Sequence, residues 1–252
     1  GTLQSIPCIS IVGTRKPTPY GKKTTQNLTT ALCHAGLGIV SGFARGTDTI
    51  SHATALEQGG YTIAVLGNGV DICYPAENHK IRDQIIEKGA VISEFPPGTH
   101  PDAKHFPRRN RVISGLSRGV VVIEAGKKSG AVISALYALD QNREVFAVPG
   151  KIDNPMSYGC HRLIQQGAKL VTSVHDILLE LKLEKVPQQI TLLPNLTEEE
   201  ERVFRILGTD EVHIDDLCSE LQMDTPEMLS ILLMLELKSL IIQQPGKYFI
   251  RA

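Results

Sequence analysis

Short apolar runs and longer amphipathic stretches alternate along the first 180 or so residues. Runs rich in β-branched residues at 8–12, 38–41, 62–66, 90–93, 120–124, 145–148 and 169–172 predict strands. Most are apolar throughout rather than alternating, as strands are when helices cover both faces of their sheet. Helical patterns fall between them, near 20–34, 47–58, 77–88, 108–116, 130–141, 158–166 and 173–182. Strands and helices in strict alternation specify the α/β class: a doubly wound, mostly parallel sheet with right-handed crossovers. The pattern breaks over 183–196, a polar stretch with two prolines that reads as a linker. Beyond it, Thr197 with Glu200 three positions on is a capping-box sequence. Helices are predicted near 198–207, 213–221 and 226–239, and the tail LIIQQPGKYFI reads as a hairpin turning at Pro245-Gly246. An α/β domain over 1–182 followed by a small winged-helix-like domain over 197–252 is the expected organisation.

Charge sharpens that division. The net charge is −1, but residues 1–186 carry 21 Lys and Arg against 15 Asp and Glu, whereas residues 187–252 carry 5 against 12. Since charge acts within a Debye length of about 10 Å, the basic part can serve a polyanion although the chain as a whole is nearly neutral. At 42% hydrophobic and 21% charged residues, the composition is that of a soluble globular protein. No apolar run approaches the roughly 18 residues of a membrane helix. The start, Gly1-Thr2-Leu3, has neither the basic nor the apolar region of a signal peptide, and without an initiator Met it leaves room for a preceding segment. Cys8, Cys33, Cys73, Cys160 and Cys218 are scattered and odd in number, which predicts free thiols in a reducing cytoplasm.

In a doubly wound sheet, ligands bind beyond the carboxyl ends of the strands. The turns expected there are rich in glycine and cations: Gly13-Thr14-Arg15-Lys16, then Ser41-Gly42-Phe43-Ala44-Arg45-Gly46, then Gly67-Asn68-Gly69, then Gly126-Lys127-Lys128-Ser129-Gly130. Glycine lets backbone N–H groups approach and cradle anions, and Arg15, Arg45, Lys127 and Lys128 add full positive charge. The segment Phe106-Pro107-Arg108-Arg109-Asn110-Arg111 packs three more cations at an expected helix start, where they oppose the dipole unless an anion compensates. A bound phosphate, or an acid from elsewhere in the fold, would compensate, and the phosphate is the expectation. Phe43, Phe106 and Tyr158 are the aromatics that fall near these turns, where unpaired bases could stack, with packing onto the core the stronger reading for Phe43 and Phe106 taken singly.

Catalytic signatures are scarce. There is no HExxH, and His100 and His105 lack further ligands at metal spacing, so no metal site is expected. No GxGxxG or Walker A motif follows the first strand, which counts against dinucleotides and ATP as cofactors. Ser41 and Ser129 lie outside any GxSxG elbow, and helix capping accounts for Asp48 and Glu124.

The segments GTR (13–15), SGFARGTD (41–48), FPRRNRVISGLS (106–117), EAGKKSGAVISA (124–135), REVFAVPG (143–150) and GCHRLIQQGA (159–168) resemble, in unbroken order, the DprA (Smf) family of DNA-processing proteins. The resemblance implies an extended Rossmann-like domain that binds single-stranded DNA, forms a homodimer and helps load the RecA recombinase in natural transformation, with no chemistry of its own. It implies DNA contacts at Ser41, Gly42, Arg45, Lys127, Lys128, Ser129 and Gly130. The basic turns extend that set to Gly13, Thr14, Arg15, Phe43, Gly46, Arg108, Arg109, Asn110 and Arg111. His161 joins it, standing where the family has Asn, and protonation there would strengthen phosphate binding below about pH 6.5. Thr47 stands where the family has Ile. The acidic tail lacks the charge to neutralise phosphates and is expected to contact protein rather than duplex DNA. The alternative is an enzyme of the nucleotide phosphoribohydrolase kind, whose PGGxGTxxE motif is replaced here by GKKSGAVIS.

Overall fold

The computed structural model describes residues 1–183, 196–207, 212–238 and 240–251. All but the two ends of the expected linker over 183–196 lie outside the described residues. The chain divides into two compact units, Gly1–Gln188 and Gln189–Ala252.

In the first unit β1 (Cys8–Val12), α1 (Pro19–His34), β2 (Gly38–Ser41), α2 (Thr47–Glu57) and β3 (Thr62–Leu66) lead to α3 (His79–Lys88) and β4 (Ala90–Ser93). There follow α4 (His105–Gly115), β5 (Gly119–Val122), α5 (Gly130–Asp140), β6 (Glu144–Ala147), α6 (Tyr158–Gln165), β7 (Lys169–Leu170) and α7 (Val174–Glu180). The sheet order is β4-β3-β2-β1-β5-β6-β7 and every neighbouring pair is parallel. This is the doubly wound, Rossmann-like sheet that the alternating pattern predicts.

Strand alternation divides the core between the two faces. Ile9 and Ile11 of β1 pack with Leu28 and Leu32 of α1, Ala55 of α2 and Ile177 of α7. Cys8 and Val12 point the other way, toward Ile113 of α4, Ala131, Ala135 and Ala138 of α5 and Leu163 of α6. Because helices cover both faces, β1 is buried at every position. The polar member, Ser10, is accommodated by donating its hydroxyl to the Ile113 carbonyl at 2.9 Å.

The second unit has α8 (Glu198–Ile206), β8 (Val212–His213), α9 (Ile214–Leu221), α10 (Thr225–Leu237), β9 (Ile241–Gln244) and β10 (Tyr248–Arg251). Val203, Leu207, Leu217, Leu232, Leu235 and Phe249 form its separate core. The capping box is present: Thr197 Oγ1 accepts from Glu200 N at 3.2 Å while the Glu200 carboxylate accepts from Thr197 N at 2.7 Å. The hairpin β9–β10 turns at Pro245-Gly246-Lys247, and β8 pairs with β10 to complete an antiparallel winged-helix sheet.

Candidate nucleic-acid interface

β1 lies between β2 and β5, so the chain winds outward to β4 and then returns across the sheet. Loops leaving the carboxyl ends of β1 and β5 diverge at this switch point and leave a crevice. A cleft of ≈ 760 Å³ opens there. Gly13, Thr14 and Arg15 line it from the loop after β1, Phe106, Arg109 and Asn110 from α4, Lys128 and Ser129 from the loop after β5, and Gly130 from the start of α5. An adjoining hollow shares Arg15, Ala44, Tyr74 and Phe106 with the cleft and adds Gly42 and Arg45.

The floor is a buried ionic arrangement. Arg109, only 4% exposed, donates to the carbonyls of Gly42 and Val65. Asp48, 7% exposed, accepts from Ala44 N at 3.2 Å. Burial pushes its carboxyl up to about 6, against the opposing pull of the Arg109 and Arg15 charges. Gly42 is required between the two: a Cβ there would lie 2.6 Å from Arg109 Nη2 and 2.7 Å from Asp48 Oδ2. Gly46, at φ 80°, turns the chain into α2 in a region that L side chains disfavour.

The rim carries the available charge. Arg15, Lys127 and Lys128 are exposed. Arg45 is exposed too and pairs with Glu77 at the surface, with more than half of each side chain open to solvent. Such exposed pairs are worth about 0–1 kcal/mol and yield readily to a competing anion. Ser129 caps α5, its Oγ accepting from Ala131 N at 3.3 Å, so a helix N-terminus meets the cleft beside Lys128. On the other side of that loop the Glu124 carboxylate is committed: Thr18 donates to it through N at 2.9 Å and through Oγ1 at 2.6 Å.

Several expected contact residues have other roles. Ser41 is fully buried and donates its hydroxyl to the Ile11 carbonyl at 2.6 Å. Phe43 is 1% exposed and packs with Leu56, Leu66 and Ile85, so it offers no face to a base. Asn110 is 8% exposed and donates to the Gly130 carbonyl at 3.1 Å, bracing α4 against α5. The FPRRNR arginines do not act as a group: Arg109 and Arg111 have partners within the fold. α4 starts at His105, which puts Arg109 and Arg111 beyond its first turn: Arg109 points inward, while exposed Arg111 pairs with Glu94. Arg108 is exposed and, like Arg111, lies outside the lining of both hollows. His161 also lies outside both, its Nε2 against the Gly150 backbone, 3.0 Å from the carbonyl. Asp48 as part of the cleft, and Tyr74 altogether, escape sequence reasoning. Asp48 looks like an ordinary helix-start acid, and Tyr74 sits between β3 and α3, where no periodicity marks it.

Comparison with known proteins follows the same division. Residues 1–182 match the family model of DNA recombination-mediator protein A, and residues 187–247 match the DprA winged helix domain. The DNA processing protein DprA of Bacillus subtilis is 49% identical over 173 residues, covering 69% of this chain and 58% of the relative. The X-ray structure of DprA from Streptococcus pneumoniae superposes with a TM-score of 0.65 at 46% identity, covering 69% of this chain and 61% of the other. DNA processing protein A from Helicobacter pylori, whose structure describes its single-stranded DNA binding mode, superposes with a TM-score of 0.64 at 32% identity, covering 71% of this chain and 81% of the other. The chain spans about three fifths of the Bacillus and Streptococcus proteins. With its α/β unit matched from end to end and its winged helix matched separately, this chain belongs to the DNA recombination-mediator protein A (DprA/Smf) family.

Proposed function

We propose that the α/β unit binds single-stranded DNA across the switch-point cleft, protects it and helps load a RecA recombinase onto it. In this reading the protein acts in the cytoplasm as a homodimer and catalyses no reaction. The observation that carries the DNA reading is the convergence of exposed Arg15, Arg45 and Lys128 around glycine-built turns and the N-terminus of α5, with exposed Lys127 next to Lys128 in the same loop but outside the lining of both hollows. Cations and backbone N–H groups so placed neutralise several phosphates at once without reading sequence. The single-stranded DNA binding mode of the Helicobacter protein supports a single-stranded ligand, and family membership supports the wider role in recombination. The phosphoribohydrolase alternative has less support, because both carboxylate oxygens of Glu124, the acid nearest the replaced motif, are engaged by Thr18.

Arg15→Ala, Arg45→Ala and Lys128→Ala test this reading. Each is expected to weaken binding of oligo-dT and of mixed-sequence strands alike and to reduce the salt slope by about one phosphate contact. Unchanged affinity in all three variants contradicts the site. Nucleotide turnover that disappears in Glu124→Gln would favour the alternative.

A further inference from the structure

The phosphate-holding parts of the cleft leave one conspicuous group unexplained. Tyr74, in the segment between β3 and α3, is 39% exposed and lines both the cleft and the adjoining hollow. Its ring lies 5.8 Å from that of Phe106 at an interplanar angle of 30°, within the range of favourable aromatic pairs. Phe106 is itself held in place. Gly67 lies so close that a Cβ there would be 2.8 Å from Phe106 Cδ1, and the Arg15 guanidinium sits 5.6 Å from the ring centroid. A rigid, supported aromatic ring that stays accessible beside a groove of cations is the arrangement that single-strand binders use to stack a base while the backbone is held electrostatically.

We propose that Tyr74, backed by Phe106 and flanked by Arg15, is a stacking platform for one unpaired nucleobase of the strand held at the rim. The proposal rests on the single-stranded DNA reading and adds a base-dependent contact to it. A π-face takes any base, so the platform contributes affinity for unpaired bases without sequence preference. In a duplex the base faces are covered, so the platform also favours single strands.

The experiment compares the full chain with Tyr74→Ala and Tyr74→Phe, using oligo-dT and an oligomer of equal length made of abasic tetrahydrofuran units, which keeps the phosphates and lacks the bases. Tyr74→Ala is expected to weaken oligo-dT binding on the order of ten-fold while leaving abasic binding within about two-fold, and Tyr74→Phe to retain binding of both. Equal weakening of both strands, or of neither, overturns the platform. A strand carrying 5-iodouracil gives a readout in the unmodified protein: photocrosslinking to the peptide bearing Tyr74 supports the proposal, and crosslinks confined to other segments contradict it. Failure of the unmodified protein to bind either oligomer at low salt instead sinks the parent reading.

Discussion

A guanidinium can be part of the floor of a binding site without touching the ligand. Arg109 is buried, the Asp48 charge favours its ionised form, and its Nη1 donates to the carbonyls of Gly42, just after β2, and Val65, in β3. Burial lowers its pKa to about 10, still high enough to keep it charged at neutral pH. Arg109→Met should therefore destabilise the unit by about 1–3 kcal/mol in urea unfolding, since it leaves the buried carbonyls of Gly42 and Val65 without their donor, whereas Arg108→Ala at the surface should stay within about 0.5 kcal/mol. Asp48 supplies a pH dependence. Its folded carboxyl holds a proton up to about 6 against an ordinary value of 3.8, so the stability it contributes is full below about pH 4 and is lost as pH rises through 6. Ionisation also puts a negative charge in the cleft. Oligo-dT affinity should rise as pH falls through 6, and the part of that rise due to this group should vanish in Asp48→Asn. An identical pH profile in both proteins would contradict the assignment. At this scale the sequence was least legible. FPRRNR announces cations, but which of them turns inward depends on where the helix begins. Begun at His105, α4 aligns Phe106, Arg109 and Ile113 on one face and turns Arg108 and Arg111 away. Begun at 108, it makes all three look like a cluster at an exposed terminus.

Secondary-structure elements were far more legible, because strands covered on both faces leave apolar runs and their connecting helices leave a 3.6-residue period. Errors gather where a physical signal is missing. Pro107 reads as a helix breaker, yet in the first turn of α4 it has no backbone partner to forfeit, so the helix begins before it. β8, of two residues, is too short to show any period and exists through its pairing with β10. The Ser129 cap was visible in sequence as a residue type and is realised as a hydrogen bond to Ala131 N. Ser129→Ala should cost about 0.5–2 kcal/mol of stability by loss of the cap and should also weaken oligo-dT binding. A stability loss with no change in binding would place this helix end outside the interface.

For the whole molecule, the division of charge along the sequence coincides with two units that each have their own core. α10 buries Met228, Ile231, Leu232 and Leu235, while Leu229, Leu233 and Met234 are exposed on a unit with few cations, a surface better suited to protein than to phosphate. A fragment ending at residue 188 should fold and keep its oligo-dT affinity within about two-fold, and the isolated 189–252 unit should not bind duplex DNA at physiological salt. Duplex binding by that unit would overturn its reading as a protein-contacting module. The central claim is that cations at one rim of a parallel sheet hold a single strand by its phosphates. Titrating labelled oligo-dT and a matching duplex across salt concentrations tests it most directly. With the four exposed cations Arg15, Arg45, Lys127 and Lys128 engaged, log affinity for the single strand should fall against log salt with a slope of roughly −3, and the single strand should be preferred. A flat salt response, or tighter binding of the duplex, would contradict it.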